Sequence, residues 1–88
     1  TSTVAGQALY LMNSELMHAS SKALADLAIS QATNGRSAWL IKHVLGRDPT
    51  KDETARGNTF VEKYGDERGA LAAFARVLLS SNEFLYMD

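Results

Sequence analysis

Apolar residues recur along this chain at helical spacing, and no stretch sustains the alternation of a strand. The strongest block lies near the end. From Ala70 to Leu79 only Arg76 is polar. A helix that is apolar nearly all round must be covered on most of its sides. The segment 67–81 is therefore expected to be the central helix, started by Asp66 as its cap. Upstream, Leu16, Ala19, Ala23, Leu24, Leu27 and Ala28 keep helical spacing over 14–31, with Asn34-Gly35 as the stop. Small residues there (Ala19, Ser20, Ala23, Ala25) are expected to admit a close neighbour. Leu40, Ile41, Val44 and Leu45 form a stripe over 37–45, with Trp39 beside it and Gly46 where a helix-ending glycine belongs. Pro49 breaks the ladder. Thr50-Lys-Asp-Glu53 is a capping box for a fourth helix bearing Ala55, Phe60, Val61 and Tyr64 and ending at Gly65. A short first helix over 4–12 follows Thr3. The pattern predicts an all-α, compact bundle of about five short helices with the C-terminal helix central.

Composition narrows this without changing it. The chain has 88 residues, 45% of them hydrophobic, but thirteen are alanine. That favours helix and leaves a small set of large side chains for the core. The net charge of -1 and the interleaving of acids and bases speak against a nucleic-acid surface. Cysteine is absent, which removes disulfides, thiolate metal sites and covalent haem attachment from this chain. No apolar run reaches membrane-spanning length. The chain starts at Thr1 rather than at a methionine, and is read as one domain, expected to be a processed chain or the C-terminal fragment of a larger protein.

Candidate chemistry meets a plainer reading at each point. His18 and His43 have no histidine or cysteine at ligand spacing, and read as surface or packing residues. Ser14, His18 and Asp26 share a helix, but no strand-turn-helix elbow presents the serine. The acid pairs Asp52-Glu53 and Asp66-Glu67 fall in the first turns of helices, where the dipole favours them. Lys51, Arg56, Asn58 and Lys63 resemble the content of a recognition helix, but Asp52, Glu53 and Glu62 cancel their charge. Met12, Met17 and Met87 read as core filler.

Two segments are more specific: Leu45-Gly46-Arg47-Asp48-Pro49-Thr50 and Ser80-Ser81-Asn82-Glu83-Phe84-Leu85-Tyr86. Each follows an apolar helix and opens a turn. They are expected to pack together, with Arg47 bonding Glu83 or carbonyls at the end of the helix over 67–81. An arginine fork suits a carboxylate and a helix end together. Phe84 and Tyr86 are expected to fill the space beside the helix over 37–45. Arg47, Pro49, Asn82, Glu83, Phe84 and Tyr86 thus form a structural motif, with no catalytic, cofactor or metal residue assigned.

With Gly6-Gln7-Ala8-Leu9-Tyr10-Leu11-Met12-Asn13-Ser14, these segments carry a resemblance. The chain resembles the C-terminal region of a domain-of-unknown-function family of planctomycete-type secreted proteins that often also carry cytochrome-c-like domains. The family pattern is matched at Gln7 to Asn13, Leu45 to Thr50 and Ser80 to Asp88, with Met87 where valine is usual. The resemblance implies an extracytoplasmic bacterial parent protein, with any haem in another domain and no cofactor in this one. It implies upstream domains of the same chain as partners, and no known reaction. The function expected is a non-catalytic structural or docking module. The alternative is an accessory part of an enzyme or electron-transfer unit whose site lies upstream. A further protein partner is compatible with both; nucleic acid and a membrane span are not expected.

Overall fold

Three of the described helices begin or end at a residue with a physical reason to be there. The computed structural model describes residues 14–85. Among these, α1 is Ser14–Gln31, α2 Arg36–Leu45, α3 Lys51–Lys63, α4 Glu67–Leu79 and α5 Asn82–Leu85, and no strand occurs. Gly35 and Gly46 bracket α2 at φ +62° and +72°. Both take the left-handed conformation that side chains resist. Gly46 N–H closes the helix on the Lys42 carbonyl. At α3 the capping box is complete: Glu53 N–H donates to Thr50 Oγ1 at 3.1 Å, and Thr50 N–H donates to Glu53 Oε1 at 2.9 Å. Asp66 caps α4 by accepting Gly69 N–H at 2.7 Å.

The apolar segment is central, as its composition requires. Helix α4 packs against each of the other four. Ala70 to Ala75, Leu78 and Leu79 are buried on it, while Val77 is 54% exposed. Its longest partner is α1. Arg68 bonds Asp26, and Arg76 reaches Ser21, so the two helices run antiparallel. Their seam is made of small residues: Ser21, Ala25 and Ala28 on α1 face the alanine-rich α4, and all three are wholly buried. Ser21 is satisfied there by donating to the His18 carbonyl at 2.9 Å. Leu40, Ile41, Leu71, Phe74 and Leu78 join this seam to α2 and α3 in one core. Helices α2 and α3 cross closely at Gly57. A Cβ on it would lie 3.1 Å from Ser37 Cβ and 3.2 Å from Phe74 Cζ.

Three expectations are corrected. The small-residue face of α1 is Ser21, Ala25 and Ala28; Ala19, Ala23 and Leu27 are exposed, and Ser20 is half-buried. The choice depended on where α4 lies, which spacing within α1 does not reveal. The segment 67–81 stops at Leu79. Ser81 bends it by donating to the Leu78 carbonyl at 2.7 Å and accepting Phe84 N–H at 3.3 Å, so the coda becomes a separate one-turn helix. The central helix is consequently α4, and α5 after it is peripheral. At α3 the helix stops at Lys63, two residues before Gly65, with Tyr64 extended. The helix expected over 4–12 lies outside the described residues.

Candidate functional site

The loop after α2 has to turn sharply, since Gly46 is left-handed and Pro49 cannot continue a helix. That turn places Arg47 over the N-terminus of α3. Its guanidinium carries five N–H donors, and the structure engages all five. Nη1 donates to Glu53 Oε1 at 2.8 Å and to the Asp48 carbonyl at 3.1 Å. Nη2 donates to Glu53 Oε2 and Glu83 Oε1, both at 2.8 Å, and Nε donates to Glu83 Oε2 at 2.7 Å. One arginine thus holds two carboxylates, each by two bonds. It connects the loop after α2, the first turn of α3 and the short helix α5.

The pairing expected between Arg47 and Glu83 is therefore present. Glu53 was not anticipated as the second carboxylate, although a signal existed. A capping-box glutamate uses one oxygen on its backbone donor and keeps further lone pairs for a cation. An arginine held six residues before it is a candidate to take them. Glu53 Oε1 serves both Thr50 N–H and Arg47. Phe84 is half-buried on α5, and α5 packs against α2; Pro49 is half-buried in the turn, and Asn82 opens α5 and is exposed. Tyr86 lies outside the described residues.

The electrostatics follow from the geometry. The Arg47 hydrogen bonds, with the Thr50 N–H second, pull the Glu53 carboxyl down from 4.5 to about 2. Arg47 also lowers Glu83, against a smaller opposing effect from Glu53. Both carboxylates in turn hold the guanidinium more firmly protonated than usual. Like charges on Glu53 and Glu83 are tolerated because one cation lies between them.

The other candidate residues are also engaged structurally. Asp52 pairs with Arg56 one turn on, at 2.6 Å. Glu67 accepts from Arg36 Nη1 at 2.7 Å, and the same arginine donates to the Ala32 and Ile29 carbonyls. Arg36 therefore satisfies the C-terminal end of α1 and ties it to the start of α4. Asp26 is held by Arg68 through two bonds, and those bonds lower its carboxyl pKa. His43 stacks on Trp39 with centroids 4.5 Å apart. Ser37 Oγ and Asn58 Oδ1 lie 2.7 Å apart across the Gly57 crossing, with the serine donating. The joins made by Arg36, Arg68 and Ser37 were not visible in spacing, because each bridges two helices, whereas Asp52–Arg56 and Trp39–His43 are neighbours one turn apart on a single helix.

Beside the Arg47 cluster runs an open groove of about 280 Å³ between α3 and α4. Its apolar wall includes Ile41, Phe60, Phe74, Val77 and Leu78, with Glu53 and Arg56 on the polar side. Phe60 and Phe74 meet at 5.5 Å in a tilted contact. Among the described residues no group of three or more His, Cys, Asp or Glu is placed to hold a metal ion. No described helix is long and apolar enough to cross a membrane.

A small helical bundle whose specific polar groups join helix to helix is the class of protein that fold and site define. More narrowly, the chain belongs to the PSD1 family, a protein of unknown function (DUF1553), whose model matches residues 1–61. The match takes in α1, α2, Arg47 and most of α3, and stops before Glu83. No curated protein and no solved structure matches the chain.

Proposed function

We propose that this domain is a non-catalytic helical module with a structural or docking role at the C-terminal end of a larger secreted bacterial protein. The observation that carries the reading is the engagement of all five Arg47 donors by Glu53, Glu83 and Asp48. A guanidinium so engaged contributes to connecting helices, and it offers a substrate no free donor. The open groove between α3 and α4 supplies the docking half of the reading. Exposed Val77 beside an apolar wall is a surface that upstream domains of the same parent can cover.

The test uses the parent protein and the 88-residue chain side by side. The isolated chain is expected to fold alone, and to bind the rest of the parent when supplied in trans. Val77→Asp is expected to weaken that binding at least tenfold, since a carboxylate in an apolar contact is poorly solvated. If the parent proves to be an enzyme, and deleting the chain abolishes turnover while the remainder stays folded and binds nothing in trans, the accessory-enzyme reading replaces this one.

A further inference from the structure

Helix α5 is four residues long and buries no side chain completely. A helix that short has no stability of its own, because nucleation outweighs a single turn of hydrogen bonds. Its shape therefore depends on what holds it. Locally, Ser81 accepts Phe84 N–H, and Leu85 N–H donates to the Ser81 carbonyl at 2.9 Å. Beyond its own turn, the polar side-chain attachment seen among the described residues is the two-bond pair of Glu83 with Arg47.

The two ends of that attachment are unequal. Arg47 is fixed independently of α5: two bonds to Glu53 and one to the Asp48 carbonyl remain when Glu83 leaves. The two donors then freed belong to a side chain 37% exposed, and Glu83 is 47% exposed. Water reaches both, so separation strands no buried charge, the outcome that makes the loss of a deeply buried pair so unfavourable. The anchor also borders the groove. Glu53 shares Arg47 with Glu83, Leu78 accepts from Ser81, and Glu53 and Leu78 both line the groove.

We propose that α5 is a releasable strap. It is clasped to a preformed Arg47–Glu53 anchor at the edge of the α3/α4 groove, and opens by local release of Glu83 while the bundle stays folded. Opening bares the ends of α2 and α4 against which α5 packs, and extends the apolar surface that begins at Val77. The proposal concerns the strap itself and stands whether or not the groove takes a partner.

Amide hydrogen exchange on the full chain tests it. The Phe84 and Leu85 amides are expected to exchange well ahead of the core amides of α4 from Leu71 to Ala75, reflecting a local opening. Glu83→Gln is expected to speed Phe84 and Leu85 by about tenfold, the loss of one charge-assisted hydrogen bond, with those two amides still exchanging well ahead of the α4 core. Arg68→Gln removes a two-bond pair of similar geometry elsewhere and is expected to leave the Phe84 and Leu85 rates unchanged. Exchange of Phe84 and Leu85 at the rate of the α4 core overturns the strap, as does unchanged exchange of both amides in Glu83→Gln. Exchange at Phe84 and Leu85 that slows with rising protein concentration also overturns it, because α5 is then held by a second copy.

Discussion

At the scale of single residues, Arg47 is worth more than its exposure implies. Isolated surface ion pairs contribute little, since water and side-chain entropy cancel most of the attraction. Arg47 differs because one ordered guanidinium serves two carboxylates and a carbonyl at once. Arg47→Gln is therefore expected to lower the melting temperature by more than Arg68→Gln, in parallel thermal melts at neutral pH. Arg47→Lys is expected to recover little of the loss, because an ammonium cannot match two carboxylates edge-on. The same cluster fixes the pH dependence. Glu53 is held near 2 in the folded protein against 4.5 in its absence, and Glu83 is also lowered. A carboxyl with a depressed folded pKa stabilises above its unfolded value and loses that stabilisation as pH falls through the folded one. Stability is thus expected to fall from about pH 5 toward pH 2, and the fall is expected to be shallower in Arg47→Gln. Urea titrations across that range check the slope. The sequence revealed half of this cluster. Arg47 and Glu83 stood in two turns that each followed an apolar helix, whereas Glu53 was already explained by its cap and its second duty was overlooked.

At the scale of elements, capped helix starts and the glycines that bracket α2 were more legible than helix faces. Thr50, Asp66, Gly35 and Gly46 act through their own backbone and nearest neighbours, so local sequence reports them well. Thr50→Ala removes the hydroxyl acceptor of the box and is expected to cost about 1 kcal/mol, within the range for such caps, by chemical denaturation. Faces depend on a partner helix, and the small-residue side of α1 was accordingly misplaced. Gly57 shows the same limit from the other direction. In isolation a mid-helix glycine weakens α3. In the fold it lets α2 and α3 approach until Ser37 and Phe74 touch its Cα side. Gly57→Val is expected to destabilise by about 1–3 kcal/mol through overpacking, despite a better intrinsic conformational bias, again by denaturant titration.

At the scale of the whole molecule, the fold is an alanine-rich seam between α1 and α4 with one compact set of larger side chains from α2, α3 and α4. So small a core leaves little redundancy. Leu71→Ala is expected to cost about 2–5 kcal/mol, because Leu71 is completely buried at the junction. Val77→Ala, over half exposed on the same helix, is expected to change stability by no more than about 0.5 kcal/mol. That contrast separates the stabilising side of α4 from the side offered to the groove. The all-α class and the central position of the apolar helix were legible because both follow from composition and spacing alone. The groove was not, since it lies between α3 and α4, and spacing within either helix does not reveal how the two approach. The central claim is that Arg47 holds the turn after α2, the first turn of α3 and α5 together. A double-mutant cycle on Arg47→Gln and Glu83→Gln, read by thermal melts at neutral pH, tests it most directly. Each single variant is expected to destabilise, and the double variant to lose clearly less than the two losses combined. Strictly additive losses, or no loss from either single variant, contradict the claim.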